Sequence, residues 1–114
     1  PVVVGPRAVI GAFTRLEGPC AIGPGTHLSR ATVRGGSTIG PRCRIGGEVE
    51  ACVVAGFTNK AHDGFLGHSF VGEWVNVGAG TQTADLRTDY APVTAATPDG
   101  PVATGQVKVG CVLG

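Results

Sequence analysis

Val4-Gly5-Pro6-Arg7-Ala8-Val9-Ile10-Gly11-Ala12-Phe13-Thr14-Arg15-Leu16-Glu17-Gly18-Pro19-Cys20-Ala21-Ile22-Gly23-Pro24-Gly25-Thr26-His27-Leu28 carries an aliphatic residue at every sixth position: 4, 10, 16, 22 and 28. An amphipathic helix repeats its apolar positions every three or four residues, and a half-buried strand every two. A beat of six fits a chain wound in straight flats separated by tight corners, each flat turning one aliphatic side chain inward. Glycine follows Val4, Ile10 and Ile22 and is expected to take corner angles closed to other residues. Pro6, Pro24 and Pro41 then fix φ where the chain turns. The residues four after each anchor, Ala8, Thr14, Cys20, Thr26 and Thr32, are all small, which predicts a narrow interior.

Beyond Leu28 the beat slips by one at Val33 and resumes at Ile39 and Ile45. It is broken over 49–65, where a bulge is expected, and returns at Leu66, Val71, Val77 and Thr83. It loosens over 86–100, around Pro92 and Pro98, and is restored at Val107 and Leu113. Three flats make about eighteen residues per coil, so the chain predicts an all-β, single-stranded parallel β-helix of about six coils. The unbroken alternation that a β-sandwich needs is scarce.

The composition agrees. The 114 residues suit one domain over 1–114, with 20 glycines, 8 prolines and 5% aromatic residues. A solenoid needs only small and branched side chains, because each coil covers the next. A net charge of +1 without a basic run points away from nucleic acid. The sequence has no long apolar stretch, which points away from a membrane span. Cys20, Cys43, Cys52 and Cys111 form no close pair. They are read as small packing residues in a reduced, cytoplasmic setting, with no metal site. The pattern starts and stops in mid-beat, so a piece of a longer chain is expected.

The densest polar run is Asn59-Lys60-Ala61-His62-Asp63-Gly64-Phe65-Leu66-Gly67-His68. His62 can act as a general base near neutral pH, with Asp63 or another carboxylate to orient it. In Trp74-Val75-Asn76-Val77-Gly78-Ala79-Gly80-Thr81, Asn76 should project outward between two inward valines, and Ala79-Gly80 leaves backbone bare for a ligand. Trp74 is expected in an interface or under the bulge. Arg7, Arg34, Arg44 and Lys108 are candidates to meet a phosphate.

These residues resemble the hexapeptide-repeat, left-handed β-helix proteins. More narrowly, they are similar to the C-terminal domain of bifunctional N-acetylglucosamine-1-phosphate uridyltransferase/glucosamine-1-phosphate acetyltransferase and to related sugar nucleotidyltransferases. The repeat carries the resemblance along most of the chain. His62-Asp63-Gly64-Phe65-Leu66-Gly67, Val71-Gly72 and Val75-Asn76-Val77-Gly78-Ala79-Gly80-Thr81 carry it at the site. The resemblance implies a homotrimer with active sites between rods, in which acetyl is transferred from acetyl-CoA to the amine of a hexosamine 1-phosphate. His62 would be the catalytic base; Lys60, Asn76 and Asp85 would bind substrate; Ala79 and Gly80 would contact the cofactor. Nucleotidyl transfer, with its Mg, would belong to a separate upstream domain. The sequence departs from the family where Phe65 replaces a tyrosine, Asp85 replaces an asparagine, and Gly47, Glu48 and Glu50 stand opposite the coil that in the family supplies a phosphate-binding lysine. The alternative is a non-catalytic domain that trimerises its parent enzyme or binds a regulatory nucleotide sugar.

Overall fold

A computed structural model describes residues 1–114. The chain is an all-β, left-handed solenoid whose parallel strands form three flats. The first flat stacks β1 (Val2–Val4), β4 (Cys20–Ile22), β6 (Ser37–Ile39), β8 (Val53–Val54), β11 (Phe70–Val71) and β14 (Val112–Leu113). The second stacks β2 (Val9–Ile10), the first part of β5 (His27–Val33), the first part of β7 (Arg44–Glu50) and β9 (Asn59–Lys60). The third takes β3 (Arg15–Leu16), the rest of β5 and β7, and β10 (Phe65–Gly67).

Coil length is less uniform than the expected eighteen residues. Val2 pairs with Cys20, Cys20 with Ser37, Thr38 with Val53 and Val53 with Phe70. Successive rungs are thus offset by fifteen to eighteen residues. The solenoid has roughly four regular turns. The sixth rung, β14, pairs with β11 (Phe70 with Val112) only after a long excursion. That excursion carries the antiparallel hairpin β12 (Thr94–Thr97) and β13 (Gly100–Ala103). Val107 lies within it, exposed, and forms no rung.

The bulge expected over 49–65 is absent. Val49, Val54, Lys60 and Leu66 are all buried in consecutive flats, and the beat is disguised because the spacing shortens between Ile45 and Val54 and a lysine then fills an aliphatic position. Ile22, Leu28, Val33, Ile39, Ile45, Val49, Val54, Leu66 and Val71 form the core. Each contributes about 1.5–3 kcal/mol by leaving water. The small inner positions include Cys20, Thr26, Ala31, Cys43, Cys52 and Thr58. Ala31 takes the inner place expected of Thr32, because the register shifts between Leu28 and Ala31.

Inside, the Thr26 and Thr58 hydroxyls are bonded between coils, whereas the buried Thr14 Oγ1 has no partner. Thr26 Oγ1 donates to Gly40 O at 2.8 Å and accepts from the Cys43 amide at 3.0 Å. Thr58 Oγ1 repeats this two turns on, donating to Gly72 O at 2.8 Å and accepting from the Val75 amide at 3.1 Å. Burial without bonding would cost each hydroxyl more than packing returns. All four cysteines are free, and burial raises the pKa of the Cys20, Cys43 and Cys52 thiols.

The glycines that follow anchors have a different cause from the one expected. A Cβ on Gly23 would overlap the backbone at Gly40, and one on Gly40 the backbone of Ala55. They mark close approach between coils. The left-handed angles fall instead on Arg7 (φ 58°), Gly25 (69°), Arg42 (52°), Phe57 (57°) and Trp74 (60°), one above another at the corner between the first and second flats. In Gly5-Pro6-Arg7-Ala8 the proline precedes the positive-φ residue and the Ala8 amide reaches Gly5 O at 3.4 Å, the geometry of a type II turn. Trp74, expected in an interface or under the bulge, is 75% exposed on the single chain and stacks on Phe57 at a centroid distance of 4.8 Å.

Candidate functional site

The corner between the second and third flats gathers the polar run. Arg30, Gly47 and Gly80 turn there with positive φ. Ala61, His62 and Asp63 connect β9 to β10 at the same corner. Ser29, Arg30, Gly47, Ala61, His62, Asp63, Ala79 and Gly80 enclose a cavity of about 360 Å³. His62 and Asp63 are exposed. Neither ring nitrogen of His62 is hydrogen-bonded within the chain, and Asp63 makes no ion pair with it. The imidazole is therefore free to meet an external proton donor. Space beside Gly80 is open, since nothing lies within 4 Å of where a Cβ would stand.

Lys60 lies underneath. Its register partner is Ile45, so it occupies the aliphatic stack and is only 2% exposed. Nζ donates to Gly46 O at 2.9 Å and to His62 O at 3.0 Å. Those bonds keep an ammonium in an apolar column by giving it fixed carbonyl dipoles. They also tie the backbone of His62 to the preceding coil. Burial lowers the lysine pKa, and the charge of Asp63 partly opposes that shift. Gly47 leaves room above it: a Cβ there would stand 2.8 Å from Nζ and 2.9 Å from the carbonyls of His62 and Gly64. Lys60 was expected to contact substrate; the structure directs its side chain into the rod.

Asn76 projects outward on the second flat, in register with Asn59, as its position between Val75 and Val77 predicts. It does not line the His62 cavity. Asp85 stands at the corner between the third and first flats. Its Oδ2 accepts from His68 Nδ1 at 2.7 Å, its side chain is only 9% exposed, and it covers Gly67. Asp85, expected to contact substrate, is here paired with His68. The structure thus gathers His62, Ala79 and Gly80 and leaves Lys60, Asn76 and Asp85 outside the cavity lining.

Of the candidate phosphate partners, Arg34 is engaged by Glu48 at 2.9 Å and Glu50 at 3.7 Å, and Lys108 by Glu50 at 3.5 Å. These pairs also offset the carboxylates expected to repel a phosphate. Arg30 is the cation that sequence reasoning missed. It sits two coils before His62 at the same corner, a relation hidden by unequal coil lengths. No group of three or more His, Cys, Asp or Glu side chains converges to hold a metal: His27 lies on the second flat, and His62 and His68 lie at different corners. No helix is long and apolar enough to cross a membrane.

Comparison with known proteins agrees with the fold. No protein-family model matches the chain. The Bifunctional protein GlmU of Rippkaea orientalis is 46% identical over 68 residues, which cover 58% of this chain and 14% of the relative. That of Synechococcus elongatus is 48% identical over 66 residues, 56% of this chain and 14% of the relative. YaiX of Escherichia coli K12, an uncharacterised protein whose name reads acetyltransferase, is 32% identical over 93 residues, 82% of this chain and 31% of the relative. The chain spans about one seventh of the length of the GlmU relatives. It is a hexapeptide-repeat, left-handed β-helix domain homologous to the C-terminal region of bifunctional GlmU-like proteins.

Proposed function

We propose that this domain transfers acetyl from acetyl-CoA to the amine of a hexosamine 1-phosphate, with His62 as general base. The observation that carries the reading is an unbonded imidazole in a cavity with bare backbone at Gly47 and Gly80. Acetyl-CoA supplies the activated acyl group as a thioester. The sugar nitrogen attacks the thioester carbonyl carbon, His62 takes the N–H proton, and the C–S bond breaks as the imidazolium returns that proton to the leaving thiolate, releasing the thiol. Open space beside Gly80 suits a narrow thioester arm. Arg30, without an ion pair, would attract the sugar phosphate; Asn76, on the next coil, would hold the sugar or acyl group from the side. Lys60 would act through the backbone of His62.

The domain is proposed to work as a homotrimer. In a closed ring of three, the directions from one rod to its two neighbours differ by about 60°. In a triangular rod, the His62 corner stands about that far from the second and third flats and opposite the first. A cleft shared at His62 therefore uses one of those two flats. The four free thiols suit a reduced, cytoplasmic compartment. Nucleotidyl transfer and its Mg would belong to a separate upstream domain.

The second reading, a non-catalytic trimerisation or regulatory domain, is favoured by Asp85, which is engaged with His68, and by the missing hydroxyl at Phe65. Thiol release with acetyl-CoA and a panel of amino-sugar phosphates separates the two. Release that disappears in His62→Ala while the assembly persists supports catalysis; no release across the panel favours the scaffold.

A further inference from the structure

Three of the four arginines without an ion pair gather in one place, Arg30 at the His62 corner being the fourth. Arg15 pairs with Glu17, Arg34 with Glu48 and Glu50, and Arg87 with Asp89. Arg7, Arg42 and Arg44 have no ion pair, and together with Gly25, His27 and Cys43 they line one cleft of about 370 Å³. This cleft lies at the corner between the first and second flats, across the second flat from His62. Arg7 and Arg42 occupy equivalent corner positions two coils apart, about 10 Å along the rod at ordinary strand spacing. Between them stands Gly25, with φ 69° and no side chain, and the Arg42 side chain leans over it, its Cγ 3.4 Å from where a Cβ would stand. Arg44 and His27 approach from the flat, where they are paired in register. No carboxylate contributes to the lining.

We propose that this cleft binds the pyrophosphate group of a nucleotide-type ligand. Three uncompensated guanidiniums spaced over two coils match an anion with charge on two linked phosphates better than a single phosphate. Each guanidinium offers forked donors to phosphate oxygens. A strip over Leu28 and Ile45 adjoins the cleft through His27 and Arg44 and the His62 cavity through Ser29 and Ala61. The same group could thus come from coenzyme A or from a nucleotide sugar. The inference does not rest on acyl transfer.

The test is calorimetric titration of the purified chain with sodium pyrophosphate and with orthophosphate at fixed ionic strength. Pyrophosphate should bind saturably and about 10-fold tighter than orthophosphate. Arg42→Asn, which keeps a residue tolerant of positive φ, and Arg44→Gln should each weaken it about 10-fold or more. Arg87→Gln should leave it unchanged. Competition by coenzyme A would assign the source as the acyl carrier, and competition by a uridine diphosphate sugar alone would assign a nucleotide sugar. Absence of saturable binding, equal affinity for the two anions, or equal loss in Arg87→Gln overturns the proposal. A chain that binds pyrophosphate yet releases no thiol overturns only the acetyl-transfer reading.

Discussion

His62 and His68 lie six residues apart on neighbouring corners of the same rod, yet their surroundings have opposite character. His62 stands exposed over a cavity with no side-chain partner, and the cation nearest its backbone is sealed beneath it. His68 is held by a carboxylate at 2.7 Å, and that carboxylate comes from the first residues of the excursion. In each case a glycine makes space for the charged neighbour: Gly47 above Lys60, Gly67 beneath Asp85. The repeat supplies equivalent backbone positions, and what lies across the corner decides whether an imidazole is available for chemistry or used to fasten the chain.

The widest separation is expected in activity. His62→Ala should lower thiol release about 100-fold or more, while His68→Ala should leave the rate within about 2-fold once stability is matched. Equal losses in steady-state assays of the two variants would erase the distinction. Next come the two glycines. Gly47→Ala meets fixed carbonyls and a positive φ, so chemical denaturation should show a loss of about 3 kcal/mol. Gly67→Ala displaces the mobile side chains of Asp85 and Phe65 and should cost about 2 kcal/mol. A reversed order would mean that the His62 corner is the softer of the two. Asp85→Asn should cost about 1 kcal/mol and speed proteolysis within 86–110, read by limited digestion, without touching the His62 cavity.

The smallest effect is expected from Lys60→Met. Near neutral pH, stability should change by about 1 kcal/mol or less, because a similar volume replaces an ammonium that is costly to bury. Its signature lies in alkali. The folded pKa of Lys60 lies below the unfolded value, so the unfolded chain holds the extra proton in the window between them. Stability from this group therefore rises with pH through that window. The difference between native chain and variant should shift accordingly in denaturation curves taken across it. A flat difference would show that the lysine is not desolvated. Comparing the two chains also cancels the opposing titration of the buried thiols.

The architecture was readable because the core is periodic. Ile22, Leu28, Ile39 and Ile45 each face inward as the six-residue beat requires. The beat failed where one inner position changed chemistry. Lys60 looks like a surface ligand in sequence, and only its hydrogen bonds to Gly46 and His62 show why an ammonium can replace an isoleucine. His62 was legible as a candidate base in the densest polar run, although that run was expected in a bulge and lies at a regular corner. Arg30 and the Arg7–Arg42 column were not, because coils of unequal length defeat counting by eighteen. The exchange of Asp85 toward His68 was equally hidden, depending on how an irregular segment leaves the third flat.

The sixth rung bonds to the fifth across the whole excursion, with Phe70 matched to Val112. Every earlier rung joins a neighbour fifteen to eighteen residues away, whereas this one must first close a far longer loop, at a greater entropic cost. Assembly should therefore zip through the first five rungs and add the last one late. Under tension or dilute denaturant, the order should run backwards, with the amides of β14 exchanging with solvent before those of β6.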